Sequence, residues 1–343
     1  MRTDSDRYHS FLERFWEKSA CILPTAAWKR HELHYSIDPK AIIKDASRIF
    51  SSFNDVVKGG LKADEYGAIQ YLVAAYLREV WISELNPENL TEGETIEIAL
   101  RVVEGSSCPS PNLNSGEYNK IQSLYQGIQF LELDKPGKHG QTITMDLILK
   151  LHSTVGRSSI TNAGCLRTSG AAAAGTSVEY LPHALILGRL SSLVKFVNSK
   201  LAAHEGFLSP SIVSLAALFF SEFLHIHPFS DGNGRTARLL TNFILKPFCV
   251  VPFSLSLSFS RENYLAALME AQQNYNFRGL FLVSIDRCSR MLSYLLLDDA
   301  FEVVPERKSE SQSMVPRLPH STNPVVVVIF LLVCAKLEAN LNK

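Results

Sequence analysis

The sequence lacks an excess of charge of either sign. Its 343 residues contain 34 Lys and Arg and 34 Asp and Glu, so the formal net charge at neutral pH is zero. Proteins that bind nucleic acid non-specifically need a predominantly basic surface. We therefore expect no DNA or RNA partner.

Paired cysteines are also missing. Six cysteines are scattered along the chain, and no two of them form a CxxC pair. A structural zinc site or a disulfide-stapled fold would need closer and more regular spacing. We expect reduced thiols.

Long hydrophobic runs are absent as well. The longest one near the C-terminus, residues 325–335, has eleven residues, whereas a bilayer-spanning helix needs about twenty. The N-terminal residues are charged and contain no apolar signal core. We expect a soluble protein of the cytoplasm or nucleus, with no membrane attachment; a short tail anchor is the alternative interpretation of residues 325–335.

Helical periodicity dominates what is present. Apolar residues recur at intervals of three and four, the pattern of helices that bury one face. Ser209 followed by Pro210 is typical of a helix start, and the nearly continuous apolar stretch after it predicts a central buried helix. The predicted helical segments are 64–82, 121–131, 144–155, 187–201, 212–226 and 239–244.

Loop-forming residues divide the chain into three parts. Segments 86–95 and 105–116 are rich in Pro, Ser, Asn and Gly, which indicates a boundary near residue 105, and 168–181 has the composition of a short hairpin. We expect a helical N-terminal extension in 1–105, a catalytic domain in 106–300, and a linker with an apolar tail in 301–343.

One segment carries the chemistry, the stretch HPFSDGNGRTAR from His227 to Arg238. Pro228 cannot continue the preceding helix, and an apolar helical pattern resumes at residue 239. Gly232 and Gly234 allow close approach of a ligand to the backbone, and the unpaired N–H groups of the new helix form an anion site. Arg235 and Arg238 add fixed positive charge, which favours a polyphosphate ligand.

Three other side chains of this segment complete the site. Asp231 offers a hard oxygen ligand for Mg²⁺ beside bound phosphates. Asn233 can donate a hydrogen bond to a phosphate. His227, with an ordinary pKa near 6.5, can accept a proton from an incoming hydroxyl as a general base.

The segment resembles the signature HPFx[DE]GNGRxxR of the Fic (Fido) domain family and matches it at all nine specified positions. The looser resemblance covers roughly residues 116–297. It implies an all-α catalytic core with a small β-hairpin, called the flap, that aligns the target, so the expected fold is all-α with a helical N-terminal extension. Gly164 and Arg167 resemble one end of the flap, and Leu181 follows its other end.

The resemblance also implies a protein adenylyltransferase that uses ATP and Mg²⁺. His227 would deprotonate a Tyr, Thr or Ser hydroxyl of a protein target, and Asp231 would hold Mg²⁺. Tyr264 resembles the aromatic position near the adenine, with Gln272 as a weaker candidate. The residues expected to bind the nucleotide phosphates are Gly232, Asn233, Gly234, Arg235 and Arg238.

Many members of this family carry an inhibitory helix of pattern [ST]xxxE[GN], whose glutamate pairs with the second arginine of the signature. The nearest match here is Glu104 with Gly105, although Leu100 stands in place of the hydroxyl residue. Two interpretations of Glu104 stay open: it reaches Arg238 as such an inhibitory residue, or it lies on a solvated helix end. Glu88 with Asn89 is the second candidate for the inhibitory position.

Alternative functions stay open at this level. A relative with an engaged glutamate can remove AMP from a modified protein, and a catalytically silent domain could act as an ATP-sensing interaction module. Transfer of another nucleotide fragment and formation of a homodimer are not decided by the sequence. His152 belongs to no recognisable constellation, and we interpret it as structural.

Overall fold

The computed structural model describes residues 4–19, 44–52, 55, 63–85, 90–106, 115–135, 140–172, 179–204, 208–249 and 252. Within these residues the chain is mainly helical, as expected for an all-α protein. Residues 44–52 are helical, and a short 3₁₀ turn covers His183–Leu185. The longer helices are α1 (Asp4–Ser19), α2 (Ala63–Leu85), α3 (Glu92–Val103), α4 (Ser115–Phe130), α5 (Met145–Gly156), α6 (Ile186–Ala202), α7 (Pro210–Ile226) and α8 (Asn233–Leu245).

The predicted start of α7 is confirmed in detail. The Ser209 hydroxyl accepts a hydrogen bond from the Ile212 N–H at 3.3 Å, and Pro210 occupies the first turn. Nearly the whole of α7 is buried, including the rings of Phe219 and Phe220. This burial on all sides makes α7 the central helix of the core.

The loop predicted at 86–95 is wrong in its C-terminal part, because α3 begins at Glu92. Thr91 and Glu94 form a capping box, in which the Glu94 N–H donates to the Thr91 hydroxyl and the Thr91 N–H donates to the Glu94 carboxylate. These bonds satisfy amide groups that the first helical turn leaves unpaired, so a helix starts in a segment whose composition suggested a loop.

α8 contacts α7, α5, α2 and α4, while α1 packs against α6. The first turns of α8 lie against α2 and α5, where Gly234 is next to Glu84 and Arg235 donates to the Val155 carbonyl. The chain therefore leaves α7 and enters α8 at a point where four helices meet, and this junction holds the His227 to Arg238 segment.

The two ends of the expected flap lie beside each other. Ala172 and Glu179 form an isolated antiparallel bridge, and the Tyr180 N–H donates to the Ala171 carbonyl at 3.0 Å. Residues 173–178 between them lie outside the described residues, so the hairpin itself stays a prediction. Among the helices that the structure describes, none combines the length and hydrophobicity needed to cross a bilayer.

Candidate active site

The connection from α7 to α8 contains two residues with left-handed backbone conformation, and the chain changes direction at both. His227 ends α7 with φ 49° and donates its N–H to the Phe223 carbonyl at 3.0 Å, while Gly232 precedes α8 with φ 75°. Positive φ is costly for a residue with a side chain and is ordinary for glycine. A β-carbon at position 232 would also come within 2.9 Å of the Ile160 side chain, so Gly232 is required on both counts.

Asn233 shapes this connection from inside. Its Oδ1 accepts the Phe229 N–H at 3.0 Å and its Nδ2 donates to the Phe229 carbonyl at 2.9 Å, and the residue is only 2% exposed. The Asn233 side chain therefore binds the loop backbone in this structure. The prediction that Asn233 binds a phosphate stays a prediction; its backbone N–H lies in the first turn of α8, where helical N–H groups have no partner within the helix.

His152 of α5 is a buried support that the sequence interpretation left without a specific role. The Gly164 N–H donates to its Nδ1 at 2.7 Å, which leaves the proton on Nε2, and Nε2 donates to the Asp231 carbonyl at 2.9 Å. Its ring lies against the Phe229 ring, with centroids 3.6 Å apart. Burial lowers the pKa of His152, which keeps this tautomer neutral. The residue ties the flap base to the backbone of the candidate metal ligand.

The imidazole of His227 is held in a neutral form. Burial lowers its pKa from 6.5 to about 4, and the nearby positive charge of Arg167 acts in the same direction. Nδ1 lies 3.3 Å from the Leu224 carbonyl, so the proton of the neutral ring belongs on Nδ1. This tautomer leaves Nε2 with the lone pair that a general base needs.

Arg167 joins the flap ends to the end of α7. Its guanidinium donates to the carbonyls of Ser169, Leu181 and Ile226, and its Nε donates to the His227 carbonyl at 2.6 Å. The last carbonyls of a helix have no partner within the helix, and a cation there is favourable. The interpretation of Arg167 as part of the flap base thus agrees with its contacts.

Asp231 and Arg235 lie at the start of α8. The Asp231 side chain is 70% exposed; its Oδ1 accepts the Gly232 N–H at 2.5 Å, and its Oδ2 lies 3.4 Å from the Arg235 guanidinium. Arg235 is 3% exposed and also donates to the Ser159 hydroxyl at 3.3 Å. One exposed carboxylate therefore stands beside the helix N-terminus and a fixed cation.

Arg238 lies one turn further along α8 and is paired with a carboxylate. That carboxylate belongs to Glu84 in the last turn of α2, which forms an ion pair and a hydrogen bond with the Arg238 guanidinium. A β-carbon built on Gly234 would overlap the Glu84 carboxylate, so the carboxylate also lies against the first turn of α8. Glu84 thus covers both the arginine and the helix N-terminus.

The predicted pairing of Glu104 with Arg238 is therefore corrected to Glu84. Glu104 is exposed and directly follows the last residue of α3. Glu84 was missed because no local pattern marks it: it lies 154 residues before Arg238, and the helical periodicity we read in this region ended at Ile82. Tyr264, Gln272 and Glu88 lie outside the described residues, so their roles stay predictions.

The arrangement brings together the groups that phosphoryl chemistry uses. A neutral imidazole, an exposed carboxylate, two buried guanidiniums and a helix N-terminus lie on one short connection and its first helical turns. Helix N-termini and arginines bind phosphate oxygens, and a carboxylate can hold Mg²⁺ next to them.

Comparison with known proteins agrees with this site. Residues 142–245 match the profile of the Fic/DOC family. The chain is 28% identical over 209 residues to protein adenylyltransferase fic-1 of Caenorhabditis elegans, covering 60% of this chain and 40% of that protein. It is 27% identical over 243 residues to protein adenylyltransferase Fic of Nematostella vectensis, covering 68% and 53%. The chain spans about half the length of these curated relatives.

The fold is also similar to that of solved proteins. The structure of Fic-1 from C. elegans superposes with a TM-score of 0.58 at 21% identity, covering 78% of this chain and 74% of that one. The matching domain contains α5, α6, α7 and α8 and therefore the whole connection described above. The similarity to the Fic/DOC family therefore covers residues 142–245, the part of the chain that holds the His227 to Arg238 segment.

Proposed function

We propose that the protein transfers AMP from ATP to a Tyr, Thr or Ser hydroxyl of a target protein, with Mg²⁺ and with His227 as general base. The observation that carries the proposal is the neutral imidazole, held with Nε2 as its proton acceptor, on the connection that ends in the phosphate-binding turn of α8. The names of the relatives, protein adenylyltransferases, support AMP as the transferred group.

The reaction needs one proton transfer and one exchange of bonds at phosphorus. Nε2 of His227 takes the proton of the target hydroxyl while the hydroxyl oxygen attacks the α-phosphorus of ATP. The bond from the α-phosphorus to the oxygen bridging to the β-phosphorus breaks, and pyrophosphate leaves with that oxygen. Arg235, Arg238 and the N–H groups of the first α8 turn stabilise the phosphate charge.

Asp231 fits a Mg²⁺ ligand by its chemistry and position. Its carboxylate is largely exposed next to the α8 N-terminus, and Mg²⁺ is commonly held by one or two protein carboxylates together with substrate phosphates. Among the described residues, no cluster of three or more His, Cys, Asp or Glu could hold a metal without such a substrate. The bound ion would neutralise phosphate charge as pyrophosphate leaves.

The test uses ATP labelled on the α-phosphate, with the full chain, Mg²⁺ and a cell lysate as the source of targets. Relative to lysate alone, we expect additional labelled protein bands with the wild type, no such gain with label on the γ-phosphate, and a loss of at least about 1,000-fold in His227→Ala, consistent with removal of a general base. His225→Ala is the matched control, because His225 is exposed two residues away. Equal labelling by wild type and His227→Ala would contradict the mechanism.

We also propose that Glu84 restrains this activity at rest. An ATP molecule whose outer phosphate binds Arg238 must displace a carboxylate that already pairs with it and that lies against Gly234. The negative charge of Glu84 opposes that phosphate directly. In this proposal, the pairing of Glu84 with Arg238 corresponds to the restrained state.

Glu84→Gly should raise automodification by at least about tenfold, the equivalent of about 1.4 kcal/mol, and tighten ATP binding. Glu104→Gly is the matched control, since Glu104 is exposed and distant in sequence from the site. An increase with Glu104→Gly and none with Glu84→Gly would return the restraint to the position we first predicted.

Glu84 also favours one alternative function, hydrolytic removal of AMP from a modified protein, because its carboxylate could orient a water molecule near the α8 turn. Time courses on one pre-modified target distinguish the two directions. Loss of label that depends on Glu84 would support hydrolysis, and continued gain of label would support transfer. No labelling and no label loss with the wild type would support the ATP-sensing module instead.

A further inference from the structure

A tyrosine from the flap end lies face to face with His227. The ring centroids of Tyr180 and His227 are 3.7 Å apart, and the two planes differ by 7°. Such parallel contact brings the whole of one imidazole face against the phenol ring. Neither the signature segment nor its spacing pointed to Tyr180.

The backbone beneath the imidazole is fixed independently of this contact. The His227 N–H donates to the Phe223 carbonyl, and the His227 carbonyl accepts from Arg167 at 2.6 Å. Nδ1 lies at the long distance of 3.3 Å from the Leu224 carbonyl, which is a weak restraint on the ring itself. The stack on Tyr180 is thus the contact that defines the plane of the ring.

The position of Tyr180 is in turn fixed by backbone contacts of the residue itself and of its two neighbours. Its N–H donates to the Ala171 carbonyl at 3.0 Å, the preceding Glu179 forms the antiparallel bridge with Ala172, and the carbonyl of the following Leu181 accepts from Arg167. The same guanidinium therefore binds the backbone of His227 and the backbone of Leu181, the residue after Tyr180.

We propose that Tyr180 is the positioning residue of the general base: its ring sets the plane of the His227 imidazole and closes one of its faces, so that Nε2 meets the target hydroxyl in a single orientation. This inference rests on the proposed function, in which His227 is that base. A proton acceptor works only when its lone pair points at the proton, and misplacement by about 1 Å can cost about 100-fold in rate.

The closed face also excludes water from the ring. The charged groups that act on His227 are Arg167, which disfavours its protonation, and Asp231, which favours it; burial is the larger influence on its pKa. Removing the phenol ring would admit water to one face and restore part of the hydration that stabilises the protonated imidazole. The His227 pKa is therefore a direct readout of the stack that needs no substrate.

The first experiment observes the stack itself by NMR of the full chain with labelled histidine, with the His227 signals assigned by their absence in His227→Ala. In the wild type we expect upfield ring-current shifts of the imidazole protons and NOEs from them to the Tyr180 ring. Tyr180→Phe should keep the shifts, and Tyr180→Leu should remove them and move the His227 pKa toward 6.5. Wild-type His227 signals without ring-current shift or NOE would overturn the inference even if the Leu variant failed to fold.

The second experiment measures automodification with α-labelled ATP. We expect Tyr180→Leu to lower kcat by about 10- to 100-fold with KM for ATP changed less than about threefold, and Tyr180→Phe to stay within about threefold of wild type. Glu179→Ala is the matched control for the flap, because Glu179 is exposed and its bridge is made by the backbone.

Two results would overturn the inference: an unchanged kcat in Tyr180→Leu, or an equal loss in Tyr180→Phe, which would assign the effect to the hydroxyl. Failure of the proposed function is a different result, since His227→Ala would then label as well as wild type while the NMR stack persisted. If the stack is absent by NMR and His227→Ala is inactive, the function stands and the positioning role of Tyr180 does not.

Discussion

Single residues decide the state of this site through their hydrogen-bond partners. Burial lowers the pKa of both His152 and His227, and the backbone N–H that donates to Nδ1 of His152 selects the tautomer of that ring. Asn233 uses both ends of its amide on the backbone of Phe229. The chemistry of each residue type was readable from the sequence, but the partner of each side chain was not, because the partners come from tertiary contacts.

The lowered pKa of His227 predicts the pH dependence of transfer. Only the neutral imidazole can accept a proton, and a folded-state pKa of about 4 keeps it neutral well below pH 6.5. At about pH 5.5 we expect kcat/KM to remain near its neutral-pH value, whereas an unshifted histidine would leave about one tenth of it.

The measurement is initial automodification rate against pH, at fixed free Mg²⁺ and corrected for protonation of ATP, with circular dichroism at each pH to verify folding. A half-maximal rate near pH 6.5 would contradict a buried, neutral base.

At the scale of elements, the helices were the predictable part of the fold. The periodicity in 64–82 and 212–226 corresponds to α2 and α7, because a helix that buries a face needs apolar residues at that interval. The end of α2 was placed three residues too early, and those residues include Glu84. α3 was hidden by Gly93 and by polar residues whose role is to form its capping box.

Arg167 connects the two flap ends to the C-terminal end of α7, so its substitution should lower the stability of the protein. Arg167→Lys removes the guanidinium group and leaves buried carbonyl acceptors without a donor. The carbonyls that the guanidinium now binds are those of Ser169, Leu181, Ile226 and His227. We expect a loss of about 2–4 kcal/mol in the free energy of unfolding, measured by urea denaturation.

Arg157→Lys provides the control, because Arg157 is exposed at the end of α5, and we expect a change within about 0.5 kcal/mol. Equal effects of the two substitutions would remove the anchoring role of Arg167.

At the scale of the whole molecule, α1 is attached to the core by a buried polar contact. The Tyr8 hydroxyl donates to the Glu222 carboxylate of α7 at 2.6 Å, and the Arg189 guanidinium lies 4.4 Å from the centroid of the Tyr8 ring. Lys200 of α6 pairs with Glu13 at 2.7 Å nearer the surface. A helix at the start of the chain thereby contacts the helix that leads into the site.

Tyr8→Phe should therefore destabilise the protein by about 1–3 kcal/mol, since it leaves a buried carboxylate without its donor. Burial already raises the pKa of Glu222, and the Tyr8 hydrogen bond opposes that rise. Without it the pKa of Glu222 rises further, so the loss of stability should grow with pH and be larger at about pH 8 than at about pH 5.5.

Urea denaturation at the two pH values measures this difference. Glu13→Gln is the comparison, because a partly exposed ion pair contributes at most about 1 kcal/mol. A loss with Tyr8→Phe that does not depend on pH would show that Glu222 is not the group responsible.

The position of Glu84 in the final turn of α2 has a thermodynamic consequence. Terminal turns open at a small fraction of the free energy of global unfolding, so releasing this carboxylate needs only local fraying while the rest of α2 stays packed. By linkage, a nucleotide that binds better when the turn is open must itself favour opening. The amide hydrogens of residues 82–85 would then exchange with solvent faster in the presence of ATP. The last turn of α2 would thus respond to ATP, the ligand whose binding Glu84 opposes.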